Sequence, residues 1–128
     1  MKKSVKKEER DPVTEEIIAA CFRVHNELGP GFVEKIYARA LQRALTKTDL
    51  SFQAEREFPV TFEGVGVGKF RADFVINDSV IVELKSLEGN IPKLYESQII
   101  SYLKASGLRT GLIVNFGNLK CQIRRLML

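Results

Sequence analysis

The sequence predicts a mixed α/β (α+β) fold built on a single sheet, with the element order ααβββαββ. Two stretches with apolar residues at helical spacing lie within residues 11–46, and a third lies near residue 100. The remaining apolar stretches are short, and several alternate apolar and polar residues as half-buried strands do. A chain of 128 residues with 45% hydrophobic content has room for one compact domain, which we place at residues 11–128.

The formal net charge of +4 belongs mostly to the first ten residues. Five of the 20 basic residues and two of the 16 acidic residues lie there, which leaves +1 for residues 11–128. This segment is charged and has no periodicity, so we predict a disordered basic tail over residues 1–10. The basic composition is therefore weak evidence that the folded part binds nucleic acid.

Membrane, secretory and zinc-binding roles are not indicated. No apolar run reaches the roughly 18 residues needed to span a membrane, and no signal-peptide core follows the basic N-terminus. We therefore expect a soluble, cytoplasmic protein. Cys21 and Cys121 fall in apolar patterns and are interpreted as reduced core residues, and one histidine without a Cys-x-x-Cys motif argues against zinc.

The first two predicted helices meet at a Gly-Pro-Gly sequence. Asp11 and Pro12 are typical of a helix N-cap and first turn, and this helix should end at Gly29. The second helix is expected over about 32–46. It carries Glu34 in its first turn, where a glutamate ordinarily only compensates the helix dipole.

Strand patterns follow from residue 50. Residues 50–62 alternate apolar and polar side chains and are expected to form a half-buried strand, bent at Pro59. Residues 63–68 are rich in glycine. They lack the lysine and hydroxyl residue of a P-loop, so we interpret them as a hairpin turn.

The last third of the chain predicts a helix and two strands. The helix is expected over about 92–106, closed by Gly107, with Gln98 one turn before Tyr102. Strands over 110–116 and 119–126 would be joined by a hairpin turn at Gly117-Asn118.

Residues 70–87 carry charge on two strands that should be buried. Alternation along the strands predicts one apolar face, formed by Phe70, Ala72, Phe74, Ile76, Val80, Val82 and Leu84. Asp73, Glu83 and Lys85 then share the opposite face. If residues 77–79 form a three-residue loop, Asp73 lies opposite Glu83, whereas a two-residue loop would put Asp73 opposite Val82.

Two carboxylates opposite each other repel, and a divalent cation would neutralise them. Hard oxygen ligands favour Mg²⁺ or Mn²⁺, and Lys85 lies about 6.6 Å beyond Glu83 on the same face. These features are consistent with a site for phosphodiester hydrolysis. The alternative is an edge hairpin with solvated charges, on which Lys85 only protects the edge from pairing with other chains.

Several motifs also occur in a specific order along the chain. They are residues 25–37 (HNELGPGFVEKIY), Arg71-Ala72-Asp73, Val82-Glu83-Leu84-Lys85, Gln98 with Tyr102-Leu103-Lys104, and Asn115-Phe116-Gly117. Together they resemble the small bacterial GxxExxY proteins, which are grouped with the PD-(D/E)XK, or restriction-endonuclease-like, nuclease superfamily. The resemblance covers about residues 13–126. It implies a restriction-endonuclease-like core with a central mixed sheet flanked by helices.

The resemblance also implies roles for individual residues. Asp73 and Glu83 match the metal-binding acids, with the backbone carbonyl of Leu84 as a further ligand, and Lys85 matches the lysine that orients or deprotonates the attacking water. Glu34 matches an acidic residue that the first core helix supplies to the metal, and Gln98 matches a polar residue on the later helix. Ala72 departs from the family pattern, which has proline before the aspartate.

Two functions follow from this reading. The first is a Mg²⁺-dependent (or Mn²⁺-dependent) nuclease that hydrolyses phosphodiester bonds with metal-activated water, with nucleic acid as partner and DNA favoured over RNA. The second is a catalytically inactive nucleic-acid-binding or protein-interaction module with a nuclease fold. The intact set of acids together with Lys85 favours the first, and the near-neutral folded part slightly favours the second. A small core without a separate recognition domain would make up for its weak basic surface by forming a homodimer, which would also pair two sites across a duplex.

Overall fold

The computed structural model describes residues 11–128, which form three helices and five strands. They are α1 (Pro12–Leu28), α2 (Glu34–Leu45), β1 (Phe52–Phe62), β2 (Val65–Ile76), β3 (Val80–Lys85), α3 (Lys93–Ser106), β4 (Thr110–Asn115) and β5 (Gln122–Met127). This order confirms the ααβββαββ prediction. The predicted basic tail, residues 1–10, lies outside the described residues.

All five strands form one mixed sheet in the order β1-β2-β3-β4-β5. β3 and β4 are parallel, because α3 crosses between them, and the other neighbours are antiparallel. β3 is therefore the central strand, and Lys85 at its end is not on an edge. This excludes the alternative in which Lys85 protects an exposed edge.

The helices cover both faces of the sheet. α1 and α2 pack against one face, where the core includes Tyr37, Phe74, Val82 and Phe116. α3 packs against the other face over a smaller core that includes Ile81. Among residues 11–128, none of the helices is long and apolar enough to cross a membrane.

Tyr37 fixes the connection between α1 and α2. Its hydroxyl donates to the carbonyl of Gly29 at 2.5 Å and accepts from the N–H of Phe32 at 3.2 Å. Its ring is fully buried and stacks on Phe116, with centroids 4.4 Å apart. The turn is thereby held in one conformation, and it delivers Glu34 as the first residue of α2.

Two predicted turns are wrong in extent. The β1–β2 turn consists of Glu63 and Gly64 only, and β2 already includes Gly66 and Gly68. The β4–β5 connection spans residues 116–121 rather than two residues, because Phe116 is drawn into the core and Asn118 binds outside the hairpin. The carbonyl of Asn118 meets His25 Nε2 at 2.9 Å, and its side-chain amide donates to Gly89 at 2.8 Å.

Candidate active site

The ladder between β2 and β3 stops where the two acids meet. Ile76 pairs with Val80, which confirms the three-residue loop, and the last backbone pair is Phe74 with Val82. At the next position the backbone N–H groups donate to the carboxylates of the two acids instead of to backbone carbonyls. The N–H of Asp73 donates to Glu83 Oε2 at 2.8 Å, and the N–H of Leu84 donates to Asp73 Oδ2 at 2.8 Å.

The strand on the other side of Asp73 is irregular as well. The pairs Ala54↔Phe74 and Arg56↔Ala72 keep the same register, but Glu55 and Asp73 between them form no pair, and Glu55 has a positive φ of 57°. Such a φ is uncommon for a residue other than glycine and often marks a functional position.

The irregular backbone at Asp73 overturns one expectation from the sequence. Phe70 and Ala72 pack on the α3 side of the sheet, whereas Phe74 and Ile76 pack on the α1–α2 side. The prediction of a single apolar face was wrong because strict alternation requires a regular ladder, and at Asp73 the backbone N–H turns to the Glu83 carboxylate instead.

Burial and mutual repulsion raise the pKa values of the two acids. The side chain of Glu83 is only 6% exposed, and burial together with the charge of Asp73 raises its pKa to about 7. The pKa of Asp73 is raised by burial, with a smaller contribution from the charge of Glu55. Lys85 and the backbone hydrogen bonds lower both values, so the two ionised carboxylates are only partly compensated by protein groups.

Lys85 ends β3 and lies near both acids without pairing with them. Its charge acts on the pKa of Asp73 and of Glu83. In the part of the chain that the structure describes, its Nζ makes no ion pair within 4.0 Å of either carboxylate. The ammonium instead lies 4.0 Å from the centroid of the Tyr95 ring.

One stripe of α3 faces the acids. Tyr102 stacks on Phe70 with centroids 4.0 Å apart, and its pKa is raised by burial and by the charges of Glu83 and Asp73. Tyr95, Gln98 and Tyr102 are spaced by three and four residues, so they share one side of the helix. Gln98 is half-buried there, and its side chain makes no hydrogen bond within residues 11–128.

Sequence reasoning placed Gln98 and Tyr102 on one helix face but missed Tyr95 as a member of this surface. The spacing of the three residues was a usable signal, because it matches one helix face. What it did not reveal is the partner of each ring, since Lys85 and Phe70 come from separate strands.

Glu34 lies at the rim of this region. It is exposed and lines a groove with Ser86 and Glu88, and its charge contributes to the raised pKa of Glu83. Ser86 Oγ donates to the carbonyl of Phe32 at 2.7 Å and ties the end of β3 to the start of α2. Within residues 11–128, no three His, Cys, Asp or Glu side chains lie close enough to hold a metal ion. Glu34 as a metal ligand therefore stays a prediction.

The acid pair nevertheless fits a divalent cation. One oxygen of each carboxylate accepts a hydrogen bond from a backbone N–H. The other two oxygens, Asp73 Oδ1 and Glu83 Oε1, make no hydrogen bond to the described residues and are not sealed from solvent. Carboxylate oxygens that are open to solvent are the donors that Mg²⁺ and Mn²⁺ prefer.

Comparisons with known proteins identify the family and the fold. The family model of the PD-(D/E)XK nuclease superfamily matches residues 11–126. The fold is shared with the crystal structure of SSO0001 (21% identity, TM-score 0.59) and with that of an alkaline exonuclease, LHK-Exo, from Laribacter hongkongensis (16% identity, TM-score 0.53). Both matches cover 73% of this chain but 48% and 54% of those chains, so this chain spans about half their length. No curated protein matches the sequence.

Proposed function

The chain belongs to the PD-(D/E)XK nuclease superfamily, and from this we propose that it is a metal-dependent nuclease that hydrolyses nucleic-acid phosphodiester bonds. The observation that carries the proposal is the crossed pair of hydrogen bonds between Asp73, Glu83 and the two strand backbones. It holds two carboxylates together at the end of the central strand and leaves one oxygen of each open, with Lys85 beside them.

The roles of the residues follow from their chemistry. Asp73 and Glu83 would hold Mg²⁺ or Mn²⁺, with the carbonyl of Leu84 and the side chain of Glu34 as further ligands. Bound there, the cation would supply Lewis-acid polarisation of the phosphate and a lowered pKa for water. The ammonium of Lys85 would orient the attacking water and offset the charge that develops on the phosphate oxygens. Gln98, on the helix face above, would position the substrate or water.

Glu83 can act as a ligand only when it has lost its proton. Because its pKa is about 7 in the metal-free protein, cation binding should strengthen as the pH rises through neutrality. The ammonium of Lys85, which lowers this pKa, keeps the ionised form accessible at physiological pH.

The test is cleavage of single- and double-stranded DNA and RNA by the pure protein in Mg²⁺ and in Mn²⁺. We expect metal-dependent cleavage of DNA that is lost in EDTA and strongly reduced in Lys85→Ala. The same panel separates DNA from RNA and internal cuts from end-directed ones. Equal activity in wild type and Lys85→Ala would indicate a contaminating nuclease and contradict the proposal.

A non-catalytic binding module is the second candidate. The net charge of +1 for residues 11–128 and, within those residues, the lack of a third acid close enough to share a metal ion with the pair favour it. Such a module would bind nucleic acid or protein without cleaving any substrate of the panel. A homodimer could strengthen either function by bringing two weakly charged surfaces together, and light scattering of the pure protein would detect it.

A further inference from the structure

We propose that Tyr95 is a positioning residue for Lys85, whose ring holds the ammonium away from Asp73 and Glu83 so that the open carboxylate oxygens stay available to a cation. The inference rests on the proposed function, since it assigns Tyr95 a part in the same site. It concerns a residue that makes no hydrogen bond to either acid and that no motif of the sequence singles out.

The geometry of the ammonium carries the inference. Lys85 has a flexible four-carbon stem and two buried carboxylates nearby, and an unrestrained ammonium would be drawn into an ion pair with them. The structure shows another outcome. The Lys85 Nζ lies 4.0 Å from the Tyr95 ring centroid, within the range of a cation–π contact, and it is not within ion-pair distance of either acid.

The ring is itself held in place by its surroundings. Tyr95 lies in the first turn of α3, where its N–H donates to the carbonyl of Pro92 at 3.1 Å. Its half-buried ring packs against the core cluster that contains Ile81, Ile91 and Ile99. Tyr95 is therefore held by apolar contacts, and the ammonium lies over the face of its ring.

The consequence is a competition for the carboxylates. An ammonium and a divalent cation seek the same oxygens, so a Lys85 released from the ring would occupy the donors that the cation needs. The ring contact shifts this competition in favour of the cation and leaves the ammonium free to meet a phosphate.

The first test is a nuclear magnetic resonance measurement on the metal-free protein. The ε-methylene protons of Lys85, assigned by their absence in Lys85→Arg, should be shifted upfield by the ring current of Tyr95. The shift should persist in Tyr95→Phe and in the control Leu94→Ala, whose side chain is 75% exposed on the same helix. It should be lost in Tyr95→Leu. A Lys85 signal that is the same in wild type and Tyr95→Leu would overturn the proposal.

The second test is a double-mutant cycle with Mn²⁺ affinity as the readout. Tyr95→Leu should weaken Mn²⁺ binding about 3- to 30-fold, the scale of a partly buried cation–π contact, while Tyr95→Phe stays near wild type. In a Lys85→Ala background, Tyr95→Leu should have no further effect, because no ammonium remains to compete. An equal loss with and without Lys85 would mean a merely structural role. Absence of Mn²⁺ binding by the wild type would contradict the proposed function, and the magnetic resonance result would still decide the Tyr95–Lys85 contact.

Discussion

Asp73 and Glu83 each accept a hydrogen bond from the backbone of the strand pair, and this exchange determines which carboxylate oxygens are left open. A lone buried carboxylate would be costly, since its ionised form is poorly solvated. Here each acid has one backbone donor and a lysine nearby, so its charge is only partly compensated. Because negative charge remains uncompensated, this pair is a candidate cation site.

Substitution of Lys85 distinguishes catalysis from binding. Lys85→Ala should leave nucleic-acid binding in Ca²⁺ nearly intact and lower cleavage in Mg²⁺ by about 10²-fold or more, the scale for losing one electrostatic catalytic group. Lys85→Arg should rescue poorly, because its planar fork cannot replace a compact ammonium. The measurements are a binding titration and single-turnover cleavage. Weakened binding that arginine restores would instead identify Lys85 as a phosphate contact.

The raised pKa of Glu83 predicts a specific pH dependence of stability. The folded protein holds this proton up to about pH 7, whereas the unfolded chain loses it near 4.5. The folded state therefore binds more protons between these values, and the free energy of unfolding of the metal-free protein should fall as pH rises from about 4.5 to about 7.

Glu83→Gln should remove this contribution while keeping an acceptor for the N–H of Asp73. In EDTA at pH 8 the variant should be more stable than wild type, by on the order of 3 kcal/mol, and the difference should shrink toward pH 4. Urea unfolding across this range is the measurement. Parallel pH profiles for the two proteins would show that Glu83 has an ordinary pKa.

At the scale of secondary structure elements, the site depends on how the segment after β3 is held. Asn115 is fully buried and binds Leu87 twice, accepting from its N–H at 2.8 Å and donating to its carbonyl at 3.0 Å. Gly117 lies directly against the same residue, since a Cβ added there would come within 2.3 Å of the Leu87 carbonyl oxygen. Asn115 at the end of β4 and Gly117 in the β4–β5 connection thus hold the backbone of Leu87, two residues past Lys85, in place.

Gly117→Ala should therefore destabilise the protein strongly, by about 2 kcal/mol or more, because backbone rather than a flexible side chain must move. Gly66→Ala is the matched control: it lies in β2 with nothing within 4 Å of an added Cβ, and its effect should stay within about 0.5 kcal/mol. Thermal unfolding without metal compares the two. Similar melting temperatures for both variants would show that the close approach at Leu87 is not maintained in solution.

The elements also show what the sequence could and could not predict. The sequence left a two-residue and a three-residue β2–β3 loop open, and it predicted that Asp73 falls beside Glu83 only for the three-residue loop that the structure shows. The change of face between Ala72 and Phe74 was not predictable. It arises from hydrogen bonds between residues ten positions apart, which no local pattern encodes.

At the scale of the whole molecule, the candidate site combines four elements around the central strand. β2 and β3 supply the acids and Lys85, α2 supplies Glu34 at the rim, and α3 covers the region with Tyr95, Gln98 and Tyr102. The family resemblance singled out these residues except Tyr95, although it gave no contact for either tyrosine. Their contacts join α3 to two different strands and become visible only once the sheet order is known.

The central claim is that Asp73 and Glu83 bind a divalent cation in the folded protein, and a melting experiment tests it without knowledge of the substrate. Ligands that bind only the folded state raise its melting temperature. At Mg²⁺ or Mn²⁺ concentrations about 100 times Kd, we expect a rise on the order of 10 °C. Asp73→Asn should abolish the rise and should stabilise the metal-free protein by removing repulsion from Glu83.

The matched control is Asp49→Asn, the same chemical change at an exposed position outside the site, which should melt and respond to metal as wild type does. A rise in wild type and Asp49→Asn that is absent in Asp73→Asn is the predicted result. An unchanged melting temperature across millimolar Mg²⁺ and Mn²⁺, or a rise of equal size in Asp73→Asn, would contradict a cation site at this pair of carboxylates.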